Sequence, residues 1–139
     1  MSAKSRIIVG VDKSPAARAA LAWAVGEAKR TNASVLAAGV CQLGFEAPHK
    51  EELRVALESL GPDTDGVEVE LATPHGAPGP VLVELSQGAS SLVVGEAGHL
   101  RRDVLVFSSV TTHCLRHARC PVVVVPVDDE RHSGPLMLR

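Results

Sequence analysis

The chain has 139 residues, a formal net charge of −2, 45% apolar residues and 2% aromatic residues. That length suits one domain with a core large enough to need no staples. Basic residues spread along the chain, with Trp23, Phe45 and Phe107 as the aromatics, argue against a nucleic-acid footprint and against base-stacking platforms.

From Arg6 to Asp12 a continuous apolar run ends on a polar residue, as in a strand buried on both faces. Ser14-Pro15 then opens a helix: Ser14 can cap and Pro15 is pre-set for the first helical position. Ala20, Leu21, Ala24, Val25 and Ala28 recur at helical spacing to about Arg30, and Asn32-Ala33 is the break. Ser34 to Cys41 is a second strand. Residues 42–49 read as loop, and the spacing predicts a helix from Pro48 to Leu60, ended by Gly61-Pro62. Val67 to Thr73 alternates with period two and predicts a strand with one wetter face. Val81 to Gly88 is a short helix, Ser91 to Gly95 a strand, and 96–107 a loop long enough to suggest function. Ser109 to His117 is helical, Pro121 to Val127 is the last strand, and Pro126 limits its central pairing. Residues 1–127 read as the domain and 128–139 as a charged, mobile tail. Strict alternation of strand and helix predicts a single-domain α/β fold with a mainly parallel sheet.

Cysteine usage gives a compartment. Cys41, Cys114 and Cys120 are odd in number and form no C-x-x-C, so they read as reduced, mostly buried thiols. The apolar run in MSAKSRIIVGV is too short for a signal peptide, and no run reaches the ~18 residues of a membrane span. A soluble, cytoplasmic protein without membrane or nucleic-acid partners is expected.

Parallel sheets of this kind bind ligands beyond the carboxyl ends of their strands, where strand order reverses. Two segments fall there. In Gly10-Val11-Asp12-Lys13-Ser14, Asp12 either accepts hydrogen bonds from a ribose or base, or simply holds the turn and the next helix. In GEAGHLRRDVLVFSSV, Gly95 and Gly98 would let backbone N–H groups approach an anion. Ser108 and Ser109 stand where a helix start favours negative charge, and the alternative is a polar turn with an N-cap serine. Neither a Walker sequence nor a G-x-G-x-x-G fingerprint is present. His113 and His117 lie four apart near Cys114 and Cys120, but without the His-Glu-x-x-His arrangement, and no metal site is expected. No G-x-S-x-G elbow marks a hydrolase, and no catalytic residue is identified.

The segments IIVGVDKSPAARAALAWAVGEAK and SLVVGEAGHLRRDVLVFSSVTTHCLRHARCPVVVVP resemble the opening and closing parts of the universal stress protein (UspA-type) family, and the resemblance runs from Arg6 to Val127. It implies a three-layer, adenine-nucleotide alpha-hydrolase-like fold with a five-stranded parallel sheet in the order 3-2-1-4-5, and a homodimer joined through the last strand. One branch of the family binds ATP through G-x2-G-x9-G-[S/T]. Here that pattern reads Gly95, Gly98, Ser108, Ser109, with serine replacing the third glycine. By the resemblance, Gly95, Gly98, Ser108, Ser109, Val110 and Thr111 serve the phosphates and ribose. Gly10, Val11, Asp12 and Val40 surround base and ribose, and Mg2+ accompanies the nucleotide.

Ala97, Lys13, Ala17 and the run His99-Leu100-Arg101-Arg102 depart from the family pattern. A side chain at 108 either crowds a place where glycine allows close approach or, as serine, donates a hydrogen bond through its hydroxyl. Lys13, Arg101 and Arg102 either compensate the ligand's charge or are solvated loop residues. The expected function is a stress-response protein holding ATP, AMP or another adenine nucleotide between strands one and four, at most a slow ATPase because no base for water is evident. The alternative is a stress protein without nucleotide, acting as a dimeric protein-interaction module.

Overall fold

The computed structural model describes residues 4–97, 99–101 and 104–126. The elements in chain order are β1 (Arg6–Gly10), α1 (Pro15–Thr31), β2 (Ser34–Ala38), α2 (Glu46–Glu58), a 3-10 turn (Gly61–Thr64), β3 (Val69–Ala72), α3 (Pro78–Leu85), β4 (Ser91–Glu96), β5 (His99–Arg101), β6 (Val104–Val106), α4 (Ser109–His117) and β7 (Val122–Pro126). Five strands form one parallel sheet in the order β3-β2-β1-β4-β7. This is the expected 3-2-1-4-5 order, with β7 as the fifth strand.

Period-two alternation explains why both faces are covered. In β1, Ile7 and Val9 join the core beneath α1 and α2, while Ile8 joins the core beneath α3 and α4. In β2, Val35 and Ala37 point one way and Leu36 and Ala38 the other. In β4, Val93 opposes Leu92 and Val94 in the same manner. Burying each Val, Leu or Ile contributes about 1.5–3 kcal/mol, so the aliphatic set suffices without buried aromatics. Trp23 and Phe45 are both exposed.

Local chemistry sets the helix ends. Ser14 caps α1: its Oγ accepts the Ala17 N–H at 3.1 Å, with Pro15 in the first turn. At the other end Asn32 takes the left-handed conformation, φ 57, and its N–H bonds the Ala28 carbonyl. Helix α2 begins at Glu46, two residues before the predicted Pro48. Proline is tolerated in a first turn, where its missing N–H has no intrahelical partner to lose.

The expected loop at 96–107 is corrected. It contains an antiparallel pair, β5 with β6, in the register His99↔Val106 and Arg101↔Val104. Pro126 pairs opposite Glu96 on β7, which ends the sheet order and so tolerates a residue without an N–H. The expected tail at 128–139 lies outside the described residues. No helix among the described residues is long and apolar enough to cross a membrane.

Candidate functional site

Strand order reverses between β1 and β4. Chain direction runs outward from β1 through β2 to β3, then crosses to β4 and β7 on the other side. A cavity of about 200 Å³ opens beyond the carboxyl ends of these strands. Gly10, Val11 and Asp12 reach it from the end of β1, Val40 from beyond β2, and Gly95 from β4. Ser108, Val110 and Thr111 bring the start of α4 to the same wall. Of the other predicted positions, Ser109 begins α4 but does not line the cavity, and Gly98 lies outside the described residues. Ser14, from the segment singled out after β1, lines it too, and Ala17, Ala38, Pro78, Leu82 and Val94 line it without having been predicted. They are core or helix-start residues by type, so their composition carries no ligand signal.

The turn after β1 is held by Asp12, whose Oδ1 accepts the Ser14 N–H at 2.8 Å. This realises the structural alternative at Asp12, while the exposed carboxylate still faces the cavity. Lys13 points to α2, with its Nζ 3.8 Å from Glu52. The Lys13 ammonium, 82% exposed, is therefore not part of the cavity wall.

At α4 two of the four first-turn amides are taken. Glu96 Oε1 accepts the Ser108 N–H at 3.0 Å, and Ser108 Oγ accepts the Thr111 N–H at 3.2 Å. Ser108 is thus the N-cap that replaces the pattern's glycine, and its hydroxyl is also 3.3 Å from Thr111 Oγ1. Ser109 and Val110 contribute the other two amides of the turn. Glu96 is buried, with 7% exposure. Sequence reasoning missed it, although a lone acid directly after the glycine ending an apolar run was the available signal. Among the described lining residues there is no Lys, Arg or His.

Gly10 and Gly95 also make close packing possible. A Cβ on Gly95 would stand 2.1 Å from the Ala16 carbonyl oxygen. The close approach at Gly95 is therefore that of the α1 backbone onto β4, which sets the cavity's rear wall. At Gly10 a Cβ would meet Leu82 Cδ1 at 2.7 Å, so this glycine makes room for α3.

The rings of His113 and His117 pack on each other with centroids 4.4 Å apart. They form no three-ligand group with Cys114 and Cys120 among the described residues. Cys114 is fully buried, and desolvation pushes its thiol pKa up.

Comparison with known proteins matches residues 4–126 to the universal stress protein family. The universal stress protein Rv2624c of Mycobacterium tuberculosis is 34% identical over 128 residues, covering 86% of this chain and 47% of that protein. The chain spans about half the length of the curated relatives it matches. A crystal structure of a universal stress protein in complex with cAMP superposes with a TM-score of 0.71 at 25% identity, covering 89% of this chain and 98% of the other. An Arabidopsis thaliana universal stress protein family protein with AMP bound shares the fold, with a TM-score of 0.65 at 20% identity over 95% of this chain and 98% of its own. With residues 4–126 matched to the family and a relative 34% identical over most of its length, the chain belongs to the universal stress protein family.

Proposed function

We propose that this chain is a stress-response protein that holds an adenine nucleotide in the crevice between β1 and β4. The observation that carries this reading is the cavity at the strand-order reversal, where Asp12 and Val40 on one side face Ser108 and Thr111 on the other. Base and ribose lie toward Val40 and Asp12, and the phosphate lies at the start of α4. A second groove of about 410 Å³ adjoins at Val40 and Pro78 and gives the base further room. The relative crystallised with cAMP supports an adenine ligand.

The electrostatics favour few phosphates over many. Glu96 Oε1 already accepts the Ser108 amide, and no described lining residue is cationic. A triphosphate would bring more negative charge against Glu96 than a monophosphate would. AMP or a cyclic monophosphate is therefore preferred to ATP, and Mg2+ matters only for ATP. Hydrolysis is at most slow. The exposed edge strand β7, with Val122 to Val125 half-buried, suits pairing of two copies in a cytoplasmic homodimer.

Calorimetric titration with AMP, cyclic AMP, ADP and ATP, with and without Mg2+, tests the reading. Binding of AMP that weakens about tenfold or more in Asp12→Ala supports it. An absence of heat and of thermal shift at millimolar nucleotide would reject it. That result would favour the second reading, a protein-interaction module, which the Glu96 carboxylate on the Ser108 amide also suits.

A further inference from the structure

The geometry points to a second site on this chain: Cys41, Glu46 and His75 bind a divalent transition-metal ion, with zinc as the best match. Cys41 Sγ, a Glu46 carboxylate oxygen and a His75 ring nitrogen all lie within 4.8 Å of one another. Zn–S bonds of about 2.3 Å and Zn–N or Zn–O bonds of about 2.0–2.2 Å place tetrahedral ligand atoms about 3.5 Å apart. Binding would draw the Cys41 sulfur closer to the pair and part His75 Nε2 from Glu46 Oε2 to that spacing.

Tertiary structure assembles the three ligands from three segments. Beyond the ends of β2 and β3 the chains stay in parallel register, and Cys41 bridges His75. The Cys41 N–H donates to the Pro74 carbonyl at 2.9 Å, and the Gly76 N–H donates to the Cys41 carbonyl at 3.2 Å. Helix α2 then brings Glu46, its first residue, against His75, whose Nε2 pairs with Glu46 Oε2. The Gly44 N–H donates to the same carboxylate at 3.0 Å, a support that metal-binding carboxylates regularly have.

An ordinary surface ion pair would explain the glutamate and histidine, with side chains 38% and 46% exposed. That pair does not include the buried Cys41 thiol, which donates to the Thr73 carbonyl at 3.7 Å and lies within 4.8 Å of both partners. Thiolate and carboxylate together supply two negative charges, which match a divalent ion. The set of S, N and O donors selects zinc over Mg2+ or Ca2+, which prefer oxygen. Three protein ligands leave a fourth position open. Of the three ligands Cys41 also lines the 410 Å³ groove, beside Phe45, His49 and Gly76.

Binding replaces the S–H proton by a sulfur–metal bond, and that proton leaves to the buffer. The groove touches the nucleotide cavity at Val40 and Pro78 but does not include its phosphate end. The inference does not depend on nucleotide binding.

The test uses the full chain without an affinity tag, reduced and stripped of metal. Zn2+ is titrated against a chromogenic chelator, and Co2+ is added separately for its optical spectrum. The expected result is one ion per chain and a thiolate-to-cobalt charge-transfer band. Cys41→Ser should abolish the band and weaken Zn2+ by about 100-fold or more, as should His75→Ala. The double variant His113→Ala, His117→Ala should change neither. Should Cys41→Ser fail to fold, Glu46→Gln and His75→Ala, at partly exposed positions, decide the matter. Absence of binding, retention of full affinity in His75→Ala, or loss of it in the His113, His117 double variant would overturn the assignment.

Discussion

The Glu96 carboxylate accepts the Ser108 amide at 3.0 Å, at the N-terminus of α4. A side chain of the protein's own thus stands where the family's binding pattern offers backbone donors to a phosphate. Helix dipole and free amides favour an anion there, and Glu96 satisfies part of that demand from within.

Glu96→Gln follows directly. The glutamine amide oxygen can still accept the Ser108 N–H, while the carboxylate is replaced by a neutral group. At a few ångströms and an intermediate dielectric, that charge opposes a phosphate by about 1–3 kcal/mol. Affinity for ATP should rise roughly five- to hundredfold, with a smaller gain for AMP. Titration calorimetry on both proteins checks it, and equal affinities for ATP would refute the electrostatic argument.

Gly95→Ala and Gly26→Ala separate packing from propensity. A Cβ at 95 meets the Ala16 carbonyl at 2.1 Å, and backbone cannot yield as a side-chain tip can. A loss of about 3 kcal/mol is expected, at the top of the range for overpacking. Gly26 sits exposed within α1, with nothing within 4 Å of its Cβ position. Alanine there should add about 0.5–1 kcal/mol. Urea unfolding of the two variants should give shifts of opposite sign.

Ser108→Ala removes the cap of α4. Losing the hydroxyl that accepts the Thr111 N–H should cost about 1 kcal/mol, while Ser108→Gly should cost only a few tenths. For a domain of this size that is about 3–4 °C in Tm for the alanine variant. Differential scanning calorimetry distinguishes the two, and equal losses would show that the hydroxyl does not cap.

Stability should form a plateau bounded on both sides. The Glu46 carboxyl is held below its ordinary 4.5, first by the Gly44 N–H. Glu27 and Glu51 are lowered by the guanidinium hydrogen bonds of Arg30 and Arg54. Their contribution is present above 4.5 and is lost as pH falls through the depressed folded values. The Cys41 and Cys114 thiols are raised above 9.0 by desolvation. The unfolded chain releases those protons first, so stability falls as pH rises beyond about 9. Urea midpoints measured across pH should be flat between these limits, and a midpoint falling steadily from pH 6 to 8 would contradict the assignment.

Much of the architecture is readable in linear order because it rests on local physics. Ser14-Pro15 announces the start of α1, and apolar runs at Ile7–Val9 and Leu92–Val94 announce strands covered on both faces. The family pattern also brought Gly10, Val11, Asp12, Val40, Gly95, Ser108, Val110 and Thr111 to one cavity. The pairing of β5 with β6 escaped because three-residue strands leave almost no periodic signal.

Tertiary structure decided what each group does. Gly95 reads as a place for a phosphate, yet the space its missing Cβ leaves is taken by the Ala16 carbonyl. Glu96 drew no reading in the sequence, yet sheet and helix bring it to an amide twelve residues away. Cys41, Glu46 and His75 share no spacing rule, because their meeting depends on the parallel register of β2 with β3 and on where α2 begins. Sequence determined the elements and the crevice, since periodicity and capping act over a few neighbouring residues. Only the folded chain determined which charges and donors face one another, since those distances are set by packing between segments far apart in sequence.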